Sequence, residues 1–145
     1  MDVDDPFDLA RFVEAQRDSY AVAVAELRSG RKVGHWIWYV FPQVAGLGMS
    51  STSQHFAITS LAEARAYLAH PTLGPRLVEC ARLLSATPNR SAEQILGGID
   101  AVKVRSSMTL FQQADPDEPA FGEVLGRFYD GRTDGRTLQL LEGQS

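Results

Sequence analysis

Gly34-His35-Trp36-Ile37-Trp38-Tyr39-Val40-Phe41-Pro42-Gln43-Val44-Ala45-Gly46-Leu47-Gly48-Met49-Ser50 holds both tryptophans of the chain and divides at Pro42. Its first half crowds large apolar side chains together, the composition of a buried anchor. Its second half opens with Pro42-Gln43, spaces two glycines closely and runs into hydroxyls, the composition of a shaped loop. Trp36, Trp38 and Val40 alternate as in a strand, whereas His35, Trp38 and Tyr39 share one helical face. The neighbouring segments are helical, which favours a short helix. Pro42 disfavours helical backbone at Phe41, so the element ends there.

Upstream, residues 1–6 form an acidic lead-in, Met1-Asp2-Val3-Asp4-Asp5-Pro6. From Phe7, Leu9, Phe12 and Val13 share a helical face. A second helix, or the continuation of a bent one, runs from Ser19 to Ser29 on Tyr20, Val24 and Leu27, and Gly30 ends it. Downstream, Gln43 to Thr59 is rich in Gly, Ser and Thr and is the longest loop-like segment, with a short strand possible around Phe56-Ala57-Ile58. Loops of that length inside a domain are commonly functional.

Helical patterning then takes over. Ser60-Leu61-Ala62-Glu63 fits a capping box, with Leu61, Ala64, Tyr67 and Leu68 as the buried face and a stop at His70-Pro71. Leu73, Leu77, Cys80, Ala81 and Leu84 form one stripe. Ser91 begins a short helix that Gly97-Gly98 closes. Asp100 is positioned to cap the next, over 101–114. Phe121, Val124, Leu125, Phe128 and Tyr129 recur at i, i+3, i+4, i+7 and i+8 before Gly131, and Asp134 caps a last helix containing Leu138, Leu140 and Leu141. The expected fold is a mainly α, single compact multi-helix domain over 7–145, of seven or eight short helices, with an irregular or slightly β segment around 36–58.

The bulk composition narrows the function classes. A chain of 145 residues is one ordinary domain and buries roughly 68–70% of its unfolded surface without staples. With 44% hydrophobic and 22% charged residues, neither global disorder nor a membrane protein is indicated. A formal charge of −4 argues against a surface that coats extended nucleic acid, though a local basic pocket for a small nucleotide is compatible with it. One cysteine, Cys80, leaves no intrachain disulfide and makes the cytoplasm the natural compartment. The N-terminus lacks the basic-then-apolar order of a secretory signal, and no apolar run approaches a membrane span. The three histidines, His35, His55 and His70, show no ligand spacing, so neither a metal nor another cofactor is expected.

Several residues invite a functional reading beside a structural one. Trp36, Trp38, Tyr39 and Phe41 are core rings, or one of them faces a cleft and stacks a flat ligand, with Trp38 or Trp36 as the candidate. His35 is a hydrogen-bonded structural residue or an acid–base group. In Gln43 to Ser53, Gly46 and Gly48 allow close backbone approach, and Gln43, Ser50 and Ser53 supply polar contacts to sugar or phosphate. The plain surface loop is the alternative. Lys103 either pairs with Asp100 at i+3 on the surface or points into a cleft, with Ser106 and Ser107 beside it as ligand contacts. Cys80 reads as inert packing, and Arg11 and Gln16 as exposed.

The run His-Trp-x-Trp-Tyr-x-Phe-Pro-Gln at 35–43 resembles the hallmark of the domain of unknown function 1810 family. The resemblance spans nearly the whole chain. It includes Arg11-Phe12-Val13-x-Ala15-Gln16, Gly46-Leu47-Gly48-x-Ser50, Glu63-Ala64-x-Ala66-Tyr67-Leu68, His70-Pro71-x-Leu73-Gly74, Lys103-x-x-Ser106-Ser107-Met108-Thr109-Leu110-Phe111 and Asp134-x-x-Thr137-Leu138. It implies a mainly helical single domain and carries no agreed catalytic residue. The order of the Tyr67 helix, the Lys103–Met108 helix and the Asp134-x-x-Thr137-Leu138 ending is also similar in arrangement to the NADAR superfamily. Those proteins act on NAD- or ADP-ribose-linked N-glycosidic bonds, and the chain carries no copy of their other motifs.

Two functions follow as expectations. The first is a small enzyme acting on a nucleotide or ADP-ribose-like ligand, with hydrolysis of an N-glycosidic bond as its reaction. Lys103 and His35 are then the catalytic candidates, and Trp38, Gln43, Gly46, Gly48, Ser50, Ser53, Ser106 and Ser107 the ligand contacts. The second is a non-enzymatic module that binds a ligand or protein through the same polar loop. Both require the 35–53 stretch and Lys103 to meet in space.

Overall fold

The computed structural model describes residues 5–143, so residues 1–4 of the acidic lead-in and residues 144–145 lie outside the described residues. Helix α1 (Ala10–Gln16) starts under Asp5, whose carboxylate accepts from the Leu9 and Ala10 amides at 2.7 and 2.9 Å. That anion at a helix start satisfies donors the helix itself leaves open, so Asp5 belongs to the fold rather than to a bare lead-in. Helix α2 (Tyr20–Ser29) is separate from α1. It closes on Gly30 at φ +78°, which donates to the Glu26 and Leu27 carbonyls. A left-handed residue at that position strongly favours glycine.

The aromatic stretch forms the single-turn helix α3 (Ile37–Val40), ending at Phe41 before Pro42. Trp36 and Phe41 are buried and Trp38 and Tyr39 half-buried, so the rings divide between core and surface. The 43–59 segment is less irregular than its composition suggests. It contains helix α4 (Ser51–His55), capped by Ser50. Ile58 pairs with the backbone around Val44 as one isolated parallel bridge, its N–H donating to Gln43 and its carbonyl accepting from Ala45, each at 2.8 Å. Among the described residues this bridge is not extended into a strand. Pro42 has no N–H to continue it on one side, and Gly46 at φ +102° leaves extended geometry on the other.

Helix α5 (Leu61–Ala69) is capped by Ser60, which accepts from the Glu63 amide. The reciprocal half of the expected capping box is absent, because Glu63 is spent elsewhere. Its carboxylate accepts from Thr59 N and Oγ1 and pairs with Arg11 at 2.8 Å. Arg11 also donates to the Phe7, Asp8, His55 and Ala57 carbonyls. It is therefore an internal tie rather than an exposed residue. Gln16 is also buried, and links the Tyr39 carbonyl, the Tyr67 hydroxyl and Arg76.

Helix α6 (Leu73–Ser85) buries the expected stripe of Leu73, Leu77, Cys80, Ala81 and Leu84. Its first amides, Thr72 and Leu73, donate to His70 Nδ1. Helix α7 (Ala92–Leu96) carries a complete Ser91–Gln94 capping box. Helix α8 (Gly98–Ala114) begins two residues before Asp100, which lies in its first turn rather than capping it. Gly97, at φ +86°, is the cap and offers no side chain. Helices α9 (Pro119–Tyr129) and α10 (Gly135–Glu142) follow, the latter capped by Asp134. Ten helices are thus formed among the described residues, more than the seven or eight expected, because single turns such as α3 and α4 form in segments with weak periodicity.

Helix α8 is the centre, packed against α5, α7, α9 and α10. Phe12, Tyr67, Phe111 and Phe121 touch in series at 5.1, 5.3 and 5.9 Å between ring centroids, joining α1, α5, α8 and α9 in one core. Among the described residues no helix is long and apolar enough to cross a membrane.

Candidate functional site

The site is built where the chain leaves α2. Glu26 Oε1 accepts three N–H groups: Val33 N at 2.7 Å, Gly34 N at 2.8 Å and Trp36 Nε1 at 2.9 Å. Burial pushes this carboxyl up, but the Gly34 and Val33 amides, the Trp36 indole and the Lys32 charge together hold it below the usual range. The folded-back 32–36 segment that results places Lys32 inside the protein. Its side chain is 6% exposed, and Nζ lies 2.7 Å from Asp100 Oδ2 and over the Trp36 ring.

From the other side, α8 brings Asp100 and Lys103 one turn apart. Lys103 Nζ is 3.6 Å from Asp100 Oδ1 and 4.6 Å from the centroid of the Trp38 ring. A carboxylate is thus bracketed by two ammonium groups, one buried and one facing an aromatic ring. Lys32, His35, Ile37, Trp38, Leu96 and the turn from Gly97 to Asp100, with Lys103, line a cleft of about 300 Å³ there. His35 is exposed at its rim. The Gly97 cap leaves the first amides of α8 without a side-chain partner beside two lysines, a setting suited to an anion.

Lys103, Trp38 and His35 therefore meet in one cleft. The 43–53 loop does not contribute to its lining. Gln43, Gly46, Gly48 and Ser53, with Gln54, Ala57 and Thr59, enclose a separate cavity of about 110 Å³. The Ser50 and Ser53 hydroxyls bond to each other, and Ser50 caps α4. Ser106 hydrogen-bonds to Asp134 at the start of α10, serving a helix cap. Ser107 is fully buried and its Oγ has no hydrogen-bond partner. The single site that would join Lys103, the glycine loop and both serines is divided into three places.

Lys32 and Asp100 are the site residues that sequence reasoning missed in this role. The Asp100–Lys103 pairing is legible as an i, i+3 spacing. Nothing periodic connects Lys32 to Asp100, because the pairing depends on how Glu26 folds the chain back. Among the described residues no group of three or more His, Cys, Asp or Glu side chains is arranged to hold a metal ion.

The sequence profile of a family described as a protein of unknown function, DUF1810, matches residues 6–141. The chain belongs to the DUF1810 family. It is similar to the crystal structure of a conserved hypothetical protein from Mycobacterium tuberculosis, at 51% identity and a TM-score of 0.94. That match covers 95% of this chain and 99% of the other. No curated protein matches the chain. All five polar and aromatic residues of the cleft, Lys32, His35, Trp38, Asp100 and Lys103, fall inside the DUF1810 match.

Proposed function

We propose that this cleft binds a planar anionic ligand of the nucleotide or ADP-ribose class and hydrolyses its N-glycosidic bond. The observation that carries the reading is the Lys103 ammonium held 4.6 Å over Trp38 while paired with Asp100. One small cleft thereby offers an aromatic face, a cation and a carboxylate. On binding, Lys103 moves from over the Trp38 ring to the phosphate, which the first amides of α8 also hold, and a base stacks on the ring face so freed. The C1′–N bond breaks with its electron pair leaving on the base, and His35 supplies the proton that base takes up. Positive charge developing at C1′ faces the Asp100 carboxylate, and water adds to C1′, giving up a proton to Asp100. The likeness in arrangement to the NADAR superfamily supports the same reaction class.

Calorimetry with ADP-ribose and with nucleoside monophosphates, followed by chromatography for released base, tests the reading. Trp38→Ala is expected to weaken binding about tenfold or more, since a base–aromatic stack contributes roughly 1–3 kcal/mol. Asp100→Asn is expected to retain binding and lose turnover. Absence of heat and of any thermal shift with all of these ligands would overturn the proposal.

One observation favours the second reading, a non-enzymatic binding module. Ile99, in the lining, is 76% exposed, and Val102, one turn along α8, is 64% exposed. Apolar side chains left in water beside a cleft suit a surface that a partner covers. Ligand binding with no released base under any condition would select this reading.

A further inference from the structure

A second concavity lies away from the Lys103 cleft. With about 740 Å³, it runs along the outer side of α6. Besides Gly74, its lining along α6 is Pro75, Val78, Glu79, Arg82 and Leu83, continued by the C-cap Ala86, at i, i+3, i+4, i+7, i+8 and i+11. That is a complete helical stripe, distinct from the buried stripe of Leu73, Leu77, Cys80, Ala81 and Leu84. Helix α6 is therefore apolar on one face and mixed on a second. The opposite wall comes from Leu68 at the end of α5 and from Asp115 and Glu118 in the turn between α8 and α9.

The groove starts at a close helix–helix contact. A Cβ on Gly74 would lie 2.0 Å from the Leu68 carbonyl oxygen, so α5 and α6 meet there backbone to backbone. From Gly74 to Ala86 it extends about 18 Å along the helix axis, long and open rather than deep. Leu68, Val78 and Leu83 are half-buried along it.

Its charge is one-sided. Three carboxylates, Glu79, Asp115 and Glu118, face one guanidinium, Arg82, which reaches Glu118 only at 3.9 Å with its side chain 62% exposed. The other nearby arginines keep their charge but point away and do not line the groove. Arg76 bonds to Gln16 and lies over the Tyr20 ring, and Arg65 donates to the Ala114 carbonyl. Each carboxylate has one oxygen accepting from its own chain: Glu79 from the Tyr20 hydroxyl, Asp115 from the Asp117 amide and Glu118 from the Ala120 amide.

From this geometry we infer that the α6 groove is a docking site for a basic amphipathic helix of a partner protein. The groove's length matches about three helical turns, and its apolar floor would take side chains at i, i+3, i+4 and i+7. The acidic rim selects lysine or arginine beside them and disfavours acidic partners, including the anionic surface of a membrane.

The test uses the whole chain and three synthetic peptides of about 12 residues: an amphipathic Leu/Lys helix, its scrambled form and the Leu/Glu counterpart. Amide chemical shifts and calorimetry are the readouts. The Leu/Lys helix is expected to bind at least about tenfold more tightly than either control. Its binding should weaken with added salt and perturb residues 68–86 and 115–118. Glu79→Lys with Asp115→Lys should reverse the preference in favour of the Leu/Glu peptide. Glu79→Gln with Asp115→Asn, which leaves acceptors in place, should lower Leu/Lys affinity without altering the thermal midpoint. Equal binding of the amphipathic and scrambled peptides, or perturbed amides outside the groove, would overturn the inference. So would self-association of the chain that Val78→Asp abolishes, since the occupant would then be a second copy.

Discussion

Glu26 shows how much one side chain can fix. A single carboxylate oxygen accepts two backbone amides and an indole N–H, and so determines where Lys32, His35 and Trp36 lie. Glu26→Ala removes the acceptor of three donors, of which the Gly34 amide and the Trp36 indole are partly buried, and hydrogen bonds to a charged acceptor are each strong. A loss on the order of 2–3 kcal/mol is expected in urea unfolding, along with a larger loss of ligand affinity than Lys103→Ala gives, because Lys32 and His35 move together. A Glu26→Ala protein that unfolds at the wild-type midpoint would contradict this account. Arg11, in α1, works in the same way. Its pair with Glu63 has side chains only 11% and 3% exposed, so Arg11→Ala leaves a buried carboxylate and is expected to cost about 3 kcal/mol or more. Neither role is legible in sequence. Arg11 and Gln16 occupy helix positions that read as solvent-facing, and what buries them is the later arrival of α5 and of the Tyr39 carbonyl.

Among the elements, the glycine loop has a different physical basis from the one its composition suggests. Gly46 and Gly48 read as places where a ligand could approach the backbone. In the fold, a Cβ on Gly48 would lie 2.4 Å from Ser53 Oγ and 2.5 Å from Ser53 Cβ, and one on Gly46 would lie 3.1 Å from Leu140. Both glycines make room for the chain's own packing, of α4 over the loop and of α10 against it. Gly48→Ala should therefore lower stability by about 1–3 kcal/mol, as an overpacked site does, and Ser53→Gly in the same chain should recover part of the loss. Failure of the second change to recover any stability would return Gly48 to the ligand reading. The longer helices were legible because their apolar spacing is strong: α6 buries every residue of its expected stripe, and α9 buries Phe121, Val124 and Leu125 while leaving Phe128 and Tyr129 half-buried. Helix α4 was not, since Ser51-Thr52-Ser53-Gln54-His55 has no apolar face and is held by the Ser50 cap and by the bridge at Ile58.

For the whole molecule, helical periodicity says which faces are buried but not which helices meet. Trp38 and Lys103 could be proposed for one cleft, yet only the packing of α3 beside α8 brings them together, and the same packing leaves Gln43 and Ser53 in another cavity. The core that makes these placements also has a measurable signature at high pH. Burial raises the Cys80 thiol to about 12, and burial raises the Tyr67 and Tyr129 hydroxyls as well, Tyr67 at the centre of the aromatic series. In the unfolded chain the thiol ionises at about 8.5 and the phenols at about 10. Between those values and the raised ones, only the unfolded state loses protons, so alkali favours unfolding. The stability these groups contribute is complete below about pH 8 and falls as pH rises, each group adding a slope of up to about 1.4 kcal/mol per pH unit. Urea midpoints measured from about pH 8 to about pH 11 should therefore decline, with the steepest fall above pH about 10. Cys80→Ala should flatten the earlier part of the decline and Tyr67→Phe the later part. A midpoint that stays level across this range, or tyrosinate absorbance in the folded protein showing Tyr67 to ionise at its ordinary value, would mean that the aromatic core is open to water.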